Sequence, residues 1–298
     1  MIRSEFTAKD GKKISYLTWA DVENPKAVIQ VSHGMVEHAG RYDHFGIEMN
    51  KRGFIVVADD HRAHGVTDEA NLGYSEGDIW ENTLSDLRQL NDIIRKKYNL
   101  PIVLFGHSYG SFLTQAYIRR NDGLVGAVVG GSNFFSRATA VSGRFIAACG
   151  SKFKGAQKPA YMLKNASFDV YDKKFKSGSF ISSLPEECER YKQDEFCNFI
   201  CSNNFYASFF NGARKLYDKN GSSLKGFPIL LLAGEDDPVG DMGKGVKKLE
   251  KWYKDHGADV SCVLYKGVRH EFLNDTSRED AFNRIADFAL KCVEARKH

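Results

Sequence analysis

Several features are missing from this 298-residue chain. No apolar run approaches the roughly 18 residues that cross a bilayer as a helix. The N-terminus, Met1-Ile-Arg-Ser-Glu-Phe-Thr-Ala-Lys-Asp-Gly, has no apolar core segment, so no signal peptide is expected. Cysteine is sparse: Cys149, Cys188, Cys197, Cys201, Cys262 and Cys292 are scattered, mostly among apolar neighbours. Such a distribution in a large chain predicts reduced, buried thiols and a cytoplasmic location. Cys197 and Cys201 could share a helix face, but no second Cys or His pair accompanies them, so no metal site is expected. The net charge of +4 and pI of about 8.6 are too mild to argue for nucleic acid, and there is no basic tail or RNA- or DNA-binding motif. Internal repeats and low-complexity tracts are absent as well. With 42% hydrophobic residues, the chain can bury the core of one large domain or of a domain with an insertion.

The most informative stretch runs from Leu100 to Tyr117. Ile102 to Phe105 reads as a buried strand. A helical pattern begins near Ser108, with Phe112, Leu113, Ala116 and Tyr117 on one face. Between them stands Gly106-His107-Ser108-Tyr109-Gly110, a G-x-S-x-G, the sequence form of a strained strand-to-helix turn with a nucleophilic serine at its apex. Cβ atoms at the flanking positions would collide with the neighbouring strand and helix, and the helix N-terminus favours a developing anion. The pentapeptide alone is weak; its place between strand and helix gives it weight.

The rest of the chain supplies a suitable frame. Residues 2–19 read as a hairpin around Asp10-Gly11. Apolar strands follow at 27–32, 53–59, 102–105 and 124–131, alternating with helices at about 42–52 and 79–98 and with the helix of the turn. Continuous apolar strands alternating with helices imply a mostly parallel sheet covered on both faces. The alternation stops at Ser132 and resumes with a strand at 228–233, a helix near 242–256, a last strand at 260–265 and a last helix at 277–296. Two parts are therefore expected: a core of residues 1–132 and 228–298, and an insertion of residues 133–227 at the sheet edge where ligands of open α/β sheets bind. The insertion holds 13 of the 21 phenylalanines, as a helical cap with an apolar underside would.

A serine hydroxyl needs an adjacent base, itself oriented by a carboxylate. In enzymes built on this turn the acid follows a late strand and the histidine follows the last one. Of the nine histidines only His270, in Val268-Arg-His-Glu-Phe, satisfies that order. Glu235, Asp236 and Asp237 crowd the loop after the strand at 228–233; spacing does not choose among them, although Pro238 fixes the backbone after Asp237. Two backbone N–H donors should hold the oxyanion: Tyr109, after the nucleophile, and Met35, in the loop His33-Gly34-Met35 after an early strand. His33 and His38 are expected to shape that loop by hydrogen bonding.

His33-Gly-Met-Val-Glu-His-Ala-Gly-Arg-Tyr, His61-Arg-Ala-His-Gly, Gly106-His-Ser-Tyr-Gly, Asp237-Pro-Val-Gly and Arg269-His-Glu together resemble the monoacylglycerol lipase and lysophospholipase family of α/β-hydrolases. The resemblance covers nearly the whole chain outside the insertion. It implies an α/β-hydrolase fold with a mostly parallel central sheet, helices on both faces and a helical cap. It also implies Ser108 as nucleophile, Asp237 as the orienting acid, His270 as base, and backbone donors at Met35 and Tyr109. No cofactor or metal is implied. The expected activity is hydrolysis of carboxylic esters of single-chain lipids through an acyl-enzyme. The alternatives on the same fold are a hydrolase of small soluble esters or peptides, an acyltransferase, and a non-catalytic binding protein. The chain departs from the family where Tyr109 replaces a Met or small residue, which is expected to narrow the acyl pocket, and where Ala63 replaces Gly. Residues 133–227 carry 15 Lys and Arg against 8 Asp and Glu, leaving a net −3 for the rest. From Arg137 to Lys176, nine basic residues stand among Phe145, Ile146, Phe153, Tyr161, Met162, Leu163 and Phe168, a pattern that fits either a solvated basic face over an apolar core or peripheral contact with anionic membrane.

Overall fold

The computed structural model describes residues 1–120, 123–218 and 223–295. Chain order is β1 (Ile2–Thr7), β2 (Lys13–Trp19), β3 (Ala27–Ser32), α1 (Asp43–Lys51), β4 (Phe54–Asp59), α2 (Ile79–Tyr98), β5 (Ile102–His107), α3 (Tyr109–Ile118) and β6 (Gly126–Gly130). Five helices follow without an intervening strand among the described residues: α4 (Arg137–Lys154), α5 (Tyr161–Ala166), α6 (Phe168–Asp172), α7 (Pro185–Gln193) and α8 (Asn203–Ala213). The chain then resumes its alternation with β7 (Pro228–Gly234), α9 (Lys244–Asp255), β8 (Asp259–Tyr265) and α10 (Arg278–Ala295).

The eight strands form one sheet in the order β1-β2-β4-β3-β5-β6-β7-β8. The pairs from β4 through β8 are parallel, while β2 runs antiparallel to both β1 and β4. Every residue of β3, β4, β5 and β6 is buried, as expected of strands covered on both faces. Alternate residues feed two layers. Ile29, Val31, Val56, Val103, Phe105 and Val128 pack with Phe45 and Met49 of α1 and Phe282 and Ile285 of α10. Val28, Val57 and Ile102 face the opposite way and meet Leu90 and Ile94 of α2. That helix carries its apolar stripe between two local stop signals: Asp78 caps its N-terminus by accepting from the Glu81 N–H, and Asn99 takes a left-handed conformation at its end.

The helical insertion does not form a core of its own. Its Leu163, Phe180, Phe205 and Phe209 join Trp80, Leu84, Leu104, Phe112 and Leu113 of the sheet layer in one apolar cluster. Gly143 lets α4 approach α8 closely, since a Cβ there would lie 2.5 Å from the Phe210 ring. Phe180, Phe205 and Phe209, with Phe135 and Phe210 packed against them, thus join this part of the chain to the sheet layer. No helix among the described residues is long and apolar enough to cross a membrane.

Candidate active site

The site lies at the C-terminal edge of the sheet, where β3, β5, β7 and β8 end. Ser108 sits between β5 and α3 with φ +52° and ψ −118°, a strained conformation for a residue with a side chain. The neighbours hold it there. The Ser108 N–H donates to the Gly130 carbonyl at 2.9 Å, and its carbonyl accepts from the N–H groups of Ser111 and Phe112. The two glycines of the turn are sterically required: a Cβ on Gly110 would strike the Ser32 carbonyl, and one on Gly106 would strike that of Gly110.

The Ser108 hydroxyl meets Nε2 of His270 at 2.8 Å. Nδ1 of the same ring lies 3.0 Å from Oδ2 of Asp237, so the ring donates through Nδ1 and leaves Nε2 to accept. Asp237 is wholly buried, and its other oxygen accepts from the Val239 N–H at 2.8 Å. Glu235 is exposed and Asp236 half-buried, with no side-chain bond to His270. The residues proposed from sequence as nucleophile, base and acid are thus brought together.

The loop after β3 is fixed by bonds on both sides of Met35. The Gly34 N–H donates to Glu37, and the Val36 N–H donates to Nε2 of His64 at 3.1 Å. That leaves the Met35 N–H between two engaged neighbours. The Tyr109 N–H opens a helix and has no intrahelical partner. His33 behaves as expected: Nε2 accepts from the His61 N–H at 2.9 Å, so Nδ1 carries the proton and donates to the Gly34 carbonyl at 2.8 Å. Burial, together with His61 and His64, pushes the His33 pKa far below its ordinary value, so the ring is neutral. His64 is likewise buried and pushed down to about 3.

Sequence reasoning missed a buried polar cluster behind the serine. Glu37 accepts from Gly34, from the Tyr42 hydroxyl at 3.1 Å and from Arg41 at 3.1 Å, with His107 Nδ1 at 3.4 Å. His107 also reaches the main-chain oxygen of His270 through Nε2, at 3.2 Å. Both His107 nitrogens face acceptors, which is the pattern of a cation. Burial opposes that charge, but the Glu37 carboxylate outweighs it and raises the His107 pKa. Burial would likewise raise Glu37, yet the hydrogen bond from His107 and the charge of Arg41 hold it below the usual carboxylate range. Glu37 stands inside the His33–Tyr42 motif and His107 inside the G-x-S-x-G, which was the available signal. His38, also in the first motif, donates to Asp194 at 3.0 Å while its Nδ1 accepts from the Gly40 N–H at 3.2 Å. Cys197 lies close to this pair, but both His38 nitrogens are already used in capping and bridging.

A cavity of about 690 Å³ opens onto Ser108. Phe112, Phe135, Leu163, Phe180, Phe209 and Phe210 form much of its wall. Tyr109 differs from the expectation of a side chain that narrows this space. Although the residue reaches the wall, its ring packs against Trp80, Phe205 and Phe209 at centroid distances of 6.0, 5.0 and 5.8 Å, so the interface between sheet layer and insertion absorbs its bulk.

A monoacylglycerol lipase of Mycolicibacterium smegmatis is 25% identical over 294 residues, 97% of each chain. A solved structure described as a lipase in its open form superposes with a TM-score of 0.87 at 26% identity, covering 98% of this chain and 99% of that one. A thermostable carboxyl esterase from Bacillus coagulans, solved with glycerol, gives 0.85 at 26% identity with the same coverage. These likenesses identify an α/β-hydrolase fold. The family described as serine aminopeptidase, S33, matches residues 23–277, and the chain belongs to that family of serine hydrolases.

Proposed function

We propose that the protein hydrolyses carboxylic esters of single-chain lipids, monoacylglycerols or lysophospholipids, with Ser108 as nucleophile, His270 as base, Asp237 as orienting acid, and the Met35 and Tyr109 N–H groups as oxyanion donors. The observation that carries the reading is the apolar cavity of about 690 Å³ ending at a serine already bonded to a histidine. His270 takes the hydroxyl proton as Oγ attacks the ester carbonyl. The negative charge moves to the carbonyl oxygen, where two fixed N–H groups meet it without reorganising. His270 then gives its proton to the leaving alcohol. Water, deprotonated by the same ring, attacks the acyl-enzyme and frees the fatty acid. Asp237 keeps Nδ1 protonated throughout and so keeps Nε2 available. The lipase and esterase similarities at about 26% identity support ester over peptide chemistry. We assign residues 133–227 the role of a cap over the site.

A panel of p-nitrophenyl esters of increasing chain length, beside monoolein and lysophosphatidylcholine, tests the reading. Hydrolysis that rises with chain length supports it; activity confined to acetyl esters or peptides overturns it. We also place the cap at the surface of anionic membranes. Phe145, Phe153 and Met162 are 70%, 79% and 67% exposed on α4 and α5, and the exposed Lys152, Lys154 and Lys158 belong to the same stretch of chain. Each lysine near such a surface adds about 1 kcal/mol, screened by salt. Co-sedimentation with vesicles containing phosphatidylglycerol, lost at high salt and absent with neutral vesicles, is the expected result. The six free thiols suit a reducing, cytoplasmic setting.

A further inference from the structure

A second cavity of about 330 Å³ runs along the outside of the seam between α4 and α5. It is lined almost wholly by apolar groups, among them Phe145, Cys149, Phe153, Tyr161 and Met162, with Lys154 as its one charged wall residue. Large apolar side chains this exposed are costly in water, and a row of them lining one groove indicates an apolar occupant. Two residues, Ile146 and Leu163, belong to the walls of both cavities. Both residues therefore border the outer groove and the catalytic cavity. Ile146 is 38% exposed on the outer side, whereas Leu163 is buried in the cluster that joins insertion and sheet. The groove therefore abuts the catalytic cavity across a shared wall.

We infer that this outer groove is a binding subsite for an alkyl chain of a lipid ester, and that Ile146 and Leu163 form the partition through which the chain reaches the catalytic cavity. The inference rests on the lipid-ester reading above and adds where the chain is held outside the catalytic cavity. The groove offers mostly hydrocarbon walls; the buried amide of Asn203 also lines it, with Nδ2 held by the Gly155 carbonyl at 3.1 Å, so selection is chiefly by apolar contact. Each methylene held in such a groove is worth roughly fourfold in affinity, so two of them give about fifteenfold. A substrate too short to occupy both spaces gains nothing from the groove.

The first test compares kcat/KM for p-nitrophenyl decanoate and p-nitrophenyl butanoate, both monomeric and without vesicles, in the native protein, in Cys149→Trp, which fills the groove, and in the exposed-site pair Phe145→Glu and Met162→Glu, which places charge in it without touching the core. The expected result is a fall of about tenfold in the decanoate-to-butanoate ratio in each variant. An unchanged ratio, or equal loss on both esters, overturns the subsite. The second test needs no turnover. In the Ser108→Ala protein, Phe153→Trp places a fluorophore in the groove, and a monomeric brominated dodecyl amphiphile is titrated in. Saturable quenching that Cys149→Trp weakens tenfold is expected; quenching without saturation, or none, overturns the proposal. If the native protein hydrolyses neither ester, the lipid-ester reading fails while the quenching still decides whether the groove takes an alkyl chain.

Discussion

Arg41 and Glu271 are 230 positions apart and meet as a two-pronged ion pair, Nη1 to Oε1 at 2.5 Å and Nη2 to Oε2 at 2.8 Å. Glu271 follows the proposed base, and Arg41 follows the loop that presents Met35. Arg41 also reaches Glu37, which holds the Gly34 N–H and faces His107, and His107 in turn reaches the carbonyl of His270. Three loops from the ends of β3, β5 and β8 are thereby tied to one buried set of charges. The insertion adds a second tie from outside: the Glu271 N–H donates to the Ile181 carbonyl at 2.8 Å, and Arg269 Nη1 donates to the Ser179 and Ser182 carbonyls. Segments far apart in sequence thus meet around the imidazole.

Removing the nucleophile should abolish turnover. Ser108→Ala deletes the only hydroxyl bonded to Nε2 of His270 among the described residues. A loss of about 10⁴- to 10⁶-fold in kcat is expected, together with loss of covalent labelling by serine-directed phosphonates. Labelling that survives the change, or activity within tenfold of native, would place the nucleophile elsewhere.

The three adjacent acids should separate sharply. Asp237 is buried against the His270 ring, while Glu235 is exposed and Asp236 half-buried. Asp237→Asn presents an amide to Nδ1 and favours the wrong tautomer, so kcat should drop about 10⁴-fold. Asp236→Asn and Glu235→Gln should each stay within about threefold, because neither touches the imidazole. Ester hydrolysis by the three purified variants decides the matter; Asp236→Asn as the damaging change would contradict the geometry.

Breaking the ion-pair cluster should cost both fold and rate. Arg41→Met leaves Glu37 and Glu271 buried without their shared cation, and a buried charge that loses its partner costs about 3 to 5 kcal/mol. Urea unfolding should report a loss of that order. Glu37→Gln keeps the shape but removes the charge paired with His107 and weakens the anchor of Gly34. It should lower kcat by about tenfold or more with little change in KM, since the oxyanion loop serves the transition state rather than substrate binding. A KM effect alone would argue against that positioning role.

Much of this was legible before the fold, and the boundary is instructive. The stripe Leu84, Leu87, Leu90 and Ile94 announces α2, and the apolar runs announce the strands, because burial imposes a period on the sequence. The turn around Ser108 declares itself through glycines that close approach requires. The choice of Asp237 over its neighbours was not readable from spacing, because it depends on which side chain the loop turns inward. The pairing of Arg41 with Glu271 has no period at all and exists only once β3 and β8 converge on one edge. Tyr109 shows the same limit: bulk beside a nucleophile suggested a narrowed pocket, yet its ring packs sideways against Trp80, Phe205 and Phe209.

Acid should loosen the oxyanion loop through His64. Its ring accepts from the Val36 N–H and donates to the Arg62 carbonyl, so it must stay neutral, and burial lowers its pKa from 6.5 to about 3. In the unfolded chain it protonates freely below pH 6.5. The unfolded state therefore binds more protons throughout the window between those two values. The stability attached to the neutral ring is fully present above pH 6.5 and is lost as pH falls toward 3, at about 1.4 kcal/mol per pH unit. His33, pushed down by burial, acts in the same direction. His107 opposes them, because its raised value makes its contribution strongest at low pH and lost as pH rises through it. Glu37, held low, is already ionised in both states above about pH 5 and contributes no slope there. His64→Gln supplies an acceptor and a donor that do not titrate. Urea unfolding at half-unit steps from about pH 5 to pH 7 should show a slope shallower in this variant than in the native protein, by about 1.4 kcal/mol per pH unit near pH 5 and by progressively less as pH rises through 6.5. Equal slopes would mean that His64 takes up its proton as readily in the folded chain as in the unfolded one, and that the Val36 N–H is held by something other than a neutral ring.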